Sequence, residues 1–245
     1  MAKDREQALT RFAERLEGAL GGNLVAAVLY GSAARGTYVQ GRSDLNVRVV
    51  VRDAGAAALR PAAEPIADWA KAGEPPPLVF SDAEWRASAD VFPIEIEDMR
   101  EAHRVLRGGD VFAGLATRRA DLRQELEREV RGKLLRLRTE YAAAAGDGRE
   151  LERLLLASAS TFLALFRAAL RVAGRPVPSD RDAMVREAAA VAGMEPAAFD
   201  WVLARLAGRA MPALEPFDPV GVRYVDAIER LVRFVDETPV GGDAA

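Results

Sequence analysis

The character of this chain changes after about Leu115: segments of strand period occur before it, and beyond it the apolar residues keep a helical period. In "DLNVRVVV", Leu45, Val47, Val49 and Val51 alternate with Asp44, Asn46 and Arg48. A period of two belongs to a strand with one packed face and one polar working face. In "DLRQELEREVRGKLLRLRTEY", Leu122, Leu126, Val130, Leu134, Leu137 and Tyr141 recur at helical spacing and form a single stripe, the mark of a long amphipathic helix. A change of period predicts a change of architecture. The expected fold class is α+β: a mixed β-sheet with flanking helices over residues 1–118, then an all-α helical bundle over residues 119–245. The 245 residues are enough for two modest domains, each with a core.

Local signals place the elements. Leu9, Phe12, Leu16 and Leu20 give a helix over residues 4–19, stopped by Gly21-Gly22. "NLVAAVLY" reads as a short buried strand and "GSAARGTYVQGRSD" as a loop that opens with a helical turn. Residues 54–73 are helical, with Pro61 and Pro65 blurring the start. "PPPLVF" is a second apolar strand, and "SDAEW" opens a helix with Ser81 as N-cap and Glu84 three residues on. The alternation in "VFPIEIEDM" predicts a further strand with Glu95 and Glu97 on one face, and "HRVLRG" a short strand or turn. Beyond the long helix, "LERLLLASASTFLALFRAALRVAG" is apolar over most of its circumference and reads as the central helix of the bundle. Shorter helices are expected near 180–192 and 196–207, and a last one over 220–236.

Composition narrows the chemistry. The chain contains no cysteine, which excludes disulfides, thiolate nucleophiles and cysteine-based zinc sites. His103 is the only histidine; it has no sequence partner and reads as structural. Any metal is then a hard cation held by carboxylates. The net charge of −3 argues against a nucleic-acid footprint over the whole protein. The N-terminus is charged and amphipathic, with no signal-peptide pattern, and no run reaches the ~18 apolar residues of a membrane span. A cytoplasmic, bacterial protein without a membrane partner is the expectation. Trp69, Trp85 and Trp201 read as core anchors. Arg118, Arg119, Arg123, Arg128, Arg131, Lys133, Arg136 and Arg138 on the long helix and its lead-in read as a solvated face, with Glu127–Arg131 and Glu129–Lys133 as i,i+4 pairs.

The stretch "YGSAARGTYVQGRSDLNVRVVV" carries the candidate chemistry. Gly31 at the end of a strand lets a phosphate approach the backbone, and the Ser32 hydroxyl and the N–H groups of the following turn can face the anion. Eleven residues lie between Ser32 and Asp44. Carboxylates at i and i+2 on one strand face can share divalent cations that bridge a nucleotide's phosphates and an attacking hydroxyl. A Gly-Ser followed by about a dozen residues and S-D-x-D is the signature of the polymerase-beta-like nucleotidyltransferase superfamily. The chain resembles it through Gly31, Ser32, Gly36, Ser43 and Asp44. The helical second half resembles that of the bacterial antibiotic nucleotidyltransferases of the kanamycin and streptomycin type.

That resemblance implies an N-terminal nucleotidyltransferase fold, an NTP as partner and Mg²⁺ as cofactor. The activity it implies is transfer of a nucleoside monophosphate to a hydroxyl of an unknown small-molecule or protein acceptor. Asp44 would serve as catalytic metal ligand, Asn46 as a second metal ligand, and Gly31, Ser32 and Arg48 as nucleotide-binding residues. One departure matters: Asn46 stands where the family has its second aspartate. The family's third acid lies on a neighbouring strand. If that strand is "PPPLVF" it carries none; if it is "FPIEIED", Glu95 or Glu97 serves as ligand or as base. Arg48 either contacts phosphate or neutralises Asp44. The alternative function is a catalytically inactive nucleotidyltransferase fold that senses nucleotide or binds a partner.

Overall fold

The computed structural model describes residues 3–36 and 44–239. These fall into two compact units, Met1–Thr117 and Arg118–Ala245.

The first unit is built on a four-stranded sheet of β1 (Leu24–Tyr30), β2 (Asn46–Val51), β3 (Leu78–Ser81) and β4 (His103–Gly108), in the order β3-β2-β1-β4. β1 runs antiparallel to both β2 and β4, and β2 runs parallel to β3. The sheet is therefore mixed. The register sets Tyr30 opposite Asn46 and Val28 opposite Arg48.

The alternation in β2 sorts its side chains onto two layers. Leu45, Val47, Val49 and Val51 pack with Leu9, Phe12 and Leu16 of α1 (Lys3–Leu20) and with Trp69. That tryptophan lies on the stretch made of α2 (Ala56–Leu59), a 3-10 turn at Arg60–Ala62 and α3 (Ala63–Lys71). Pro61 occupies the 3-10 turn and Pro65 the first turn of α3, where a missing N–H leaves no bond unmade. The rings of Phe12 and Trp69 stack 4.3 Å apart at 14°. On the other face, Ala26, Val28 and Val50 pack with Trp85 of α4 (Asp82–Ala87), with Ile96 and Met99 of α5 (Pro93–Glu101), and with Val111, Phe112 and Leu115. Trp85 is 1% exposed and its indole N–H donates to the Val111 carbonyl at 2.8 Å. Ser81 caps α4 as its sequence foretells: its hydroxyl accepts from the Glu84 N–H at 3.2 Å, and the Glu84 carboxylate accepts from the Ser81 N–H at 2.8 Å.

One element differs from expectation. "FPIEIED" is not a strand carrying Glu95 and Glu97 on one face; it forms helix α5. The I-E-I-E alternation covers only four residues. Pro93, Ile96 and Met99 recur every three residues and are all buried, and Pro93 sits at the first helical position, where its ring presets φ. The longer helical pattern prevails.

The second unit is helical: α6 (Arg119–Ala144), α7 (Gly148–Val172), α8 (Arg181–Ala192), a 3-10 turn at Pro196–Phe199 leading into α9 (Asp200–Leu206), and α10 (Pro219–Glu237). Leu122, Leu126, Val130, Leu134 and Leu137 of the α6 stripe are buried, and Tyr141 is half-buried. The cations of α6 are largely answered. Arg131 lies 3.6 Å from Glu127, Lys133 3.8 Å from Glu129, Arg136 2.6 Å from Glu140 and Arg138 2.7 Å from Glu229. Gly148 opens α7 because the connector after α9 presses on it: a Cβ there would lie 1.8 Å from the Leu214 carbonyl oxygen. By length and composition α7 could cross a membrane, yet half of its most apolar window is buried inside the protein.

Candidate functional site

β1 ends at Tyr30, and the chain turns at Gly31 with φ +79°, a conformation that favours glycine. A Cβ on Gly31 would also stand 3.2 Å from the Asn46 amide nitrogen, so the amide would have to give by a few tenths of an ångström. The Arg35 N–H donates to the Gly31 carbonyl at 3.0 Å, so the loop opens with one helical turn, and Ser32 is half-buried within it. Arg35 anchors this turn on α5. Its guanidinium donates to the Asp98 carbonyl at 2.7 Å and to the Glu101 carboxylate at 3.0 Å, with the Asp98 carboxylate 3.5 Å away. Ser43, part of the sequence motif, lies outside the described residues.

The chain re-enters the sheet at Asp44. Its side chain is exposed and that of Asn46 is half-buried. The backbone between them is fixed from below: the Leu45 N–H donates to the Glu74 carboxylate at 2.9 Å. Glu74 is 7% exposed and pairs with Arg5 of α1. That contact links α1, the third residue after α3 and the start of β2, so the position of Asp44 rests on charges far apart in sequence.

Arg48 shares the face of Asp44 and Asn46, but its surroundings are not open. It is 6% exposed. Its guanidinium carbon lies 5.3 Å from the Tyr30 ring centre, 4.9 Å from that of Phe80 and 5.5 Å from that of Trp85. Its Nε is buried without a hydrogen-bond partner. Of the two alternatives for Arg48, the ion pair with Asp44 is not formed among the described residues.

The strand beside β2 is β3, with sequence LVFS. No carboxylate comes from it. Glu95 is exposed on α5. Glu97 accepts from Arg100 and from the Thr117 hydroxyl, both at 2.5 Å, a role that ties the end of the unit to α5. Among the described residues no group of three metal-ligating acids forms. The structure thus gathers Gly31, Ser32, Asp44 and Asn46 at one end of the β1–β2 pair, with Arg48 one pleat along. It does not set Glu95 or Glu97 on a strand beside Asp44. His103 donates from Nδ1–H to the Met99 carbonyl at 2.9 Å, and its ring centre lies 4.3 Å from that of Phe112, a structural setting. Arg35 and Glu74 are not legible as site residues in the sequence. The partners that reveal them are 66 and 29 residues away, and no local pattern marks either.

No protein-family model matches the chain, and no curated protein matches it in sequence. Among solved structures it is similar to the spectinomycin adenyltransferase AAD(9) from Enterococcus faecialis, solved with ATP and spectinomycin. The TM-score is 0.56 at 14% identity, covering 95% of this chain and 99% of that one. At that identity the likeness concerns the fold. The mixed sheet with flanking helices followed by a helical unit is the α+β nucleotidyltransferase fold.

Proposed function

We propose that this protein binds a nucleoside triphosphate at the Gly31–Ser32 turn, with one divalent cation on Asp44, and transfers a nucleoside monophosphate to an acceptor hydroxyl slowly at best. One observation carries the reading: the chain entering β2 carries a single carboxylate, Asp44, with the amide of Asn46 at the first position of the strand, and the adjoining strand LVFS presents none. The neighbour's ATP supports a nucleotide as the ligand class, and its antibiotic supports a small molecule as the acceptor class.

The donor set fits one hard cation. An exposed carboxylate and an amide oxygen can supply part of an oxygen shell, with water and phosphate completing it. It does not fit a bridged pair, which calls for shared anionic ligands. When bound, Mg²⁺ would neutralise and orient the phosphates. The chain's own contribution is positional. Gly31 leaves room for a phosphate, the Ser32 hydroxyl donates to it, Arg35 holds the turn on α5, and Glu74 holds the backbone at Leu45. Glu97 is engaged with Arg100 and Thr117, so a strong base for the acceptor hydroxyl is missing from the proposed set, and the transfer step is slow for that reason.

Restoring the charge tests this. Asn46→Asp should tighten Mg²⁺-dependent binding of labelled ATP by roughly ten-fold, the scale of one charge-assisted contact, and raise any slow nucleotidyl transfer. Metal titrations of wild type and variant provide the comparison. Rapid turnover by the wild type, unchanged in the variant, would show Asn46 to be a competent ligand and the reading to be wrong.

A further inference from the structure

Arg48 is a buried cation whose Nε has no hydrogen-bond partner among the described residues. A guanidinium has five N–H donors in a planar fork. The rings of Tyr30, Phe80 and Trp85 offer π faces around it, and these attract a cation, but they accept no conventional hydrogen bond. Its Nε is shut in without a partner, and no ion pair reaches it among the described residues. Buried charges are ordinarily paired; this one has no anion beside it among the described residues.

Its place says which anion fits. By strand alternation Arg48 lies on the same face as Asn46. Its guanidinium lies against the ring of Tyr30, the residue that stands opposite Asn46 and immediately before Gly31. Asn46 takes one negative charge away from the face, and Arg48 adds a positive one. Both changes act in the same direction: they lessen the face's demand for cations and increase its attraction for phosphate.

Resting on the nucleotide-binding reading above, we propose that Arg48 is a phosphate-binding residue that stands in for a second divalent cation, so that the site takes nucleoside triphosphate with one metal ion and retains affinity for metal-free triphosphate. A fixed guanidinium suits this role because it contacts phosphate through two parallel N–H groups and is never deprotonated near neutral pH. The cage of rings holds it in place without neutralising it.

The test is equilibrium binding of ATP and of GTP to wild type, Arg48→Lys and Arg48→Met, each in Mg²⁺ and in excess EDTA, with circular dichroism to check folding. Wild type is expected to bind in EDTA within roughly ten-fold of its affinity in Mg²⁺. Arg48→Met should bind roughly ten-fold more weakly than wild type in EDTA, and Arg48→Lys should retain part of the affinity through its charge. If EDTA abolishes wild-type binding that Mg²⁺ supports, or if Arg48→Met binds in EDTA as tightly as wild type, the inference fails while the nucleotide-binding reading stands. If wild type binds neither nucleotide in either condition, that reading fails and takes the inference with it. Should Arg48→Met not fold, the wild-type comparison between Mg²⁺ and EDTA still decides.

Discussion

Among the described residues each unit buries one arginine Nε without a hydrogen-bond partner, and the two neighbourhoods are solved differently. Arg205 of α9 lies over Trp201, 5.6 Å from the ring centre, and 3.6 Å from the Glu152 carboxylate of α7. The other oxygen of Glu152 accepts from the Leu214 N–H at 3.0 Å. One carboxylate answers the charge and ties α7 to the connector before α10. Arg48 has three rings instead of one and no carboxylate among the described residues. The helical unit completes its ion pair internally, so that pair has a purely structural account. Among the described residues the sheet unit leaves its cation unanswered, on the strand face that carries Asn46. An unpaired buried charge is costly to fold around, and the proposed phosphate contact would offset that cost.

The comparison breaks most visibly at Trp85. This residue packs edge-on against Phe80 and Phe112, with centres 5.7 and 5.6 Å apart, and forms one wall of the Arg48 cage. Trp85→Ala should destabilise the protein by about 3–5 kcal/mol, the range for removing a buried tryptophan. Urea unfolding followed by circular dichroism measures it. A loss below about 1 kcal/mol would mean that the layer under the sheet is not the packed core described.

A smaller effect separates the two arginines directly. Glu152→Gln removes the counter-charge of Arg205. Because the Arg205 side chain is 36% exposed, solvent screens the pair, and the expected loss is about 1 kcal/mol. Without nucleotide, Arg48→Met should cost less than this or stabilise, since an apolar chain replaces an unpaired buried charge. Parallel thermal unfolding of both variants would sharpen the contrast. If Arg48→Met proves the more destabilising of the two, Arg48 is a structural plug and resembles Arg205 after all.

The smallest effect concerns pH. Hydrogen bonds from the Ser81 backbone and hydroxyl hold the Glu84 carboxyl below its ordinary value of 4.5. A depressed carboxyl contributes stability that is complete above the ordinary value and fades as pH falls through the folded-state value. Acidification should therefore loosen the first turn of α4, seen as lower amide protection at Ser81 and Glu84 relative to the intrinsic exchange rate at each pH, and Glu84→Gln should flatten that dependence. Exchange rates that follow the same course in both proteins would remove the carboxylate from the capping box.

Patterns carried by near neighbours along the chain are legible in the sequence alone. The alternation of β2 is one, the α6 stripe another, and the Ser81–Glu84 box a third, because backbone geometry by itself brings such residues together. The Gly-Ser motif and Asp44 are legible for the same reason, and Asn46 is visible as a departure. Where two periods compete over a few residues the sequence misleads: I-E-I-E suggests a strand, while Pro93, Ile96 and Met99 build a helix and withdraw Glu95 and Glu97 from the sheet.

Charge pairing lies beyond the sequence altogether. Arg48 could meet Asp44 or a phosphate with equal ease on paper, and only the packing of α4 and β3 encloses it among Tyr30, Phe80 and Trp85. Glu74 could be any surface acid until α1 brings Arg5 to it and β2 brings the Leu45 N–H. A hydrophobic stripe is fixed by the period of the chain that carries it. The partner of a charge is fixed by which distant segment fills the space in front of it, and that is settled only when the layers pack.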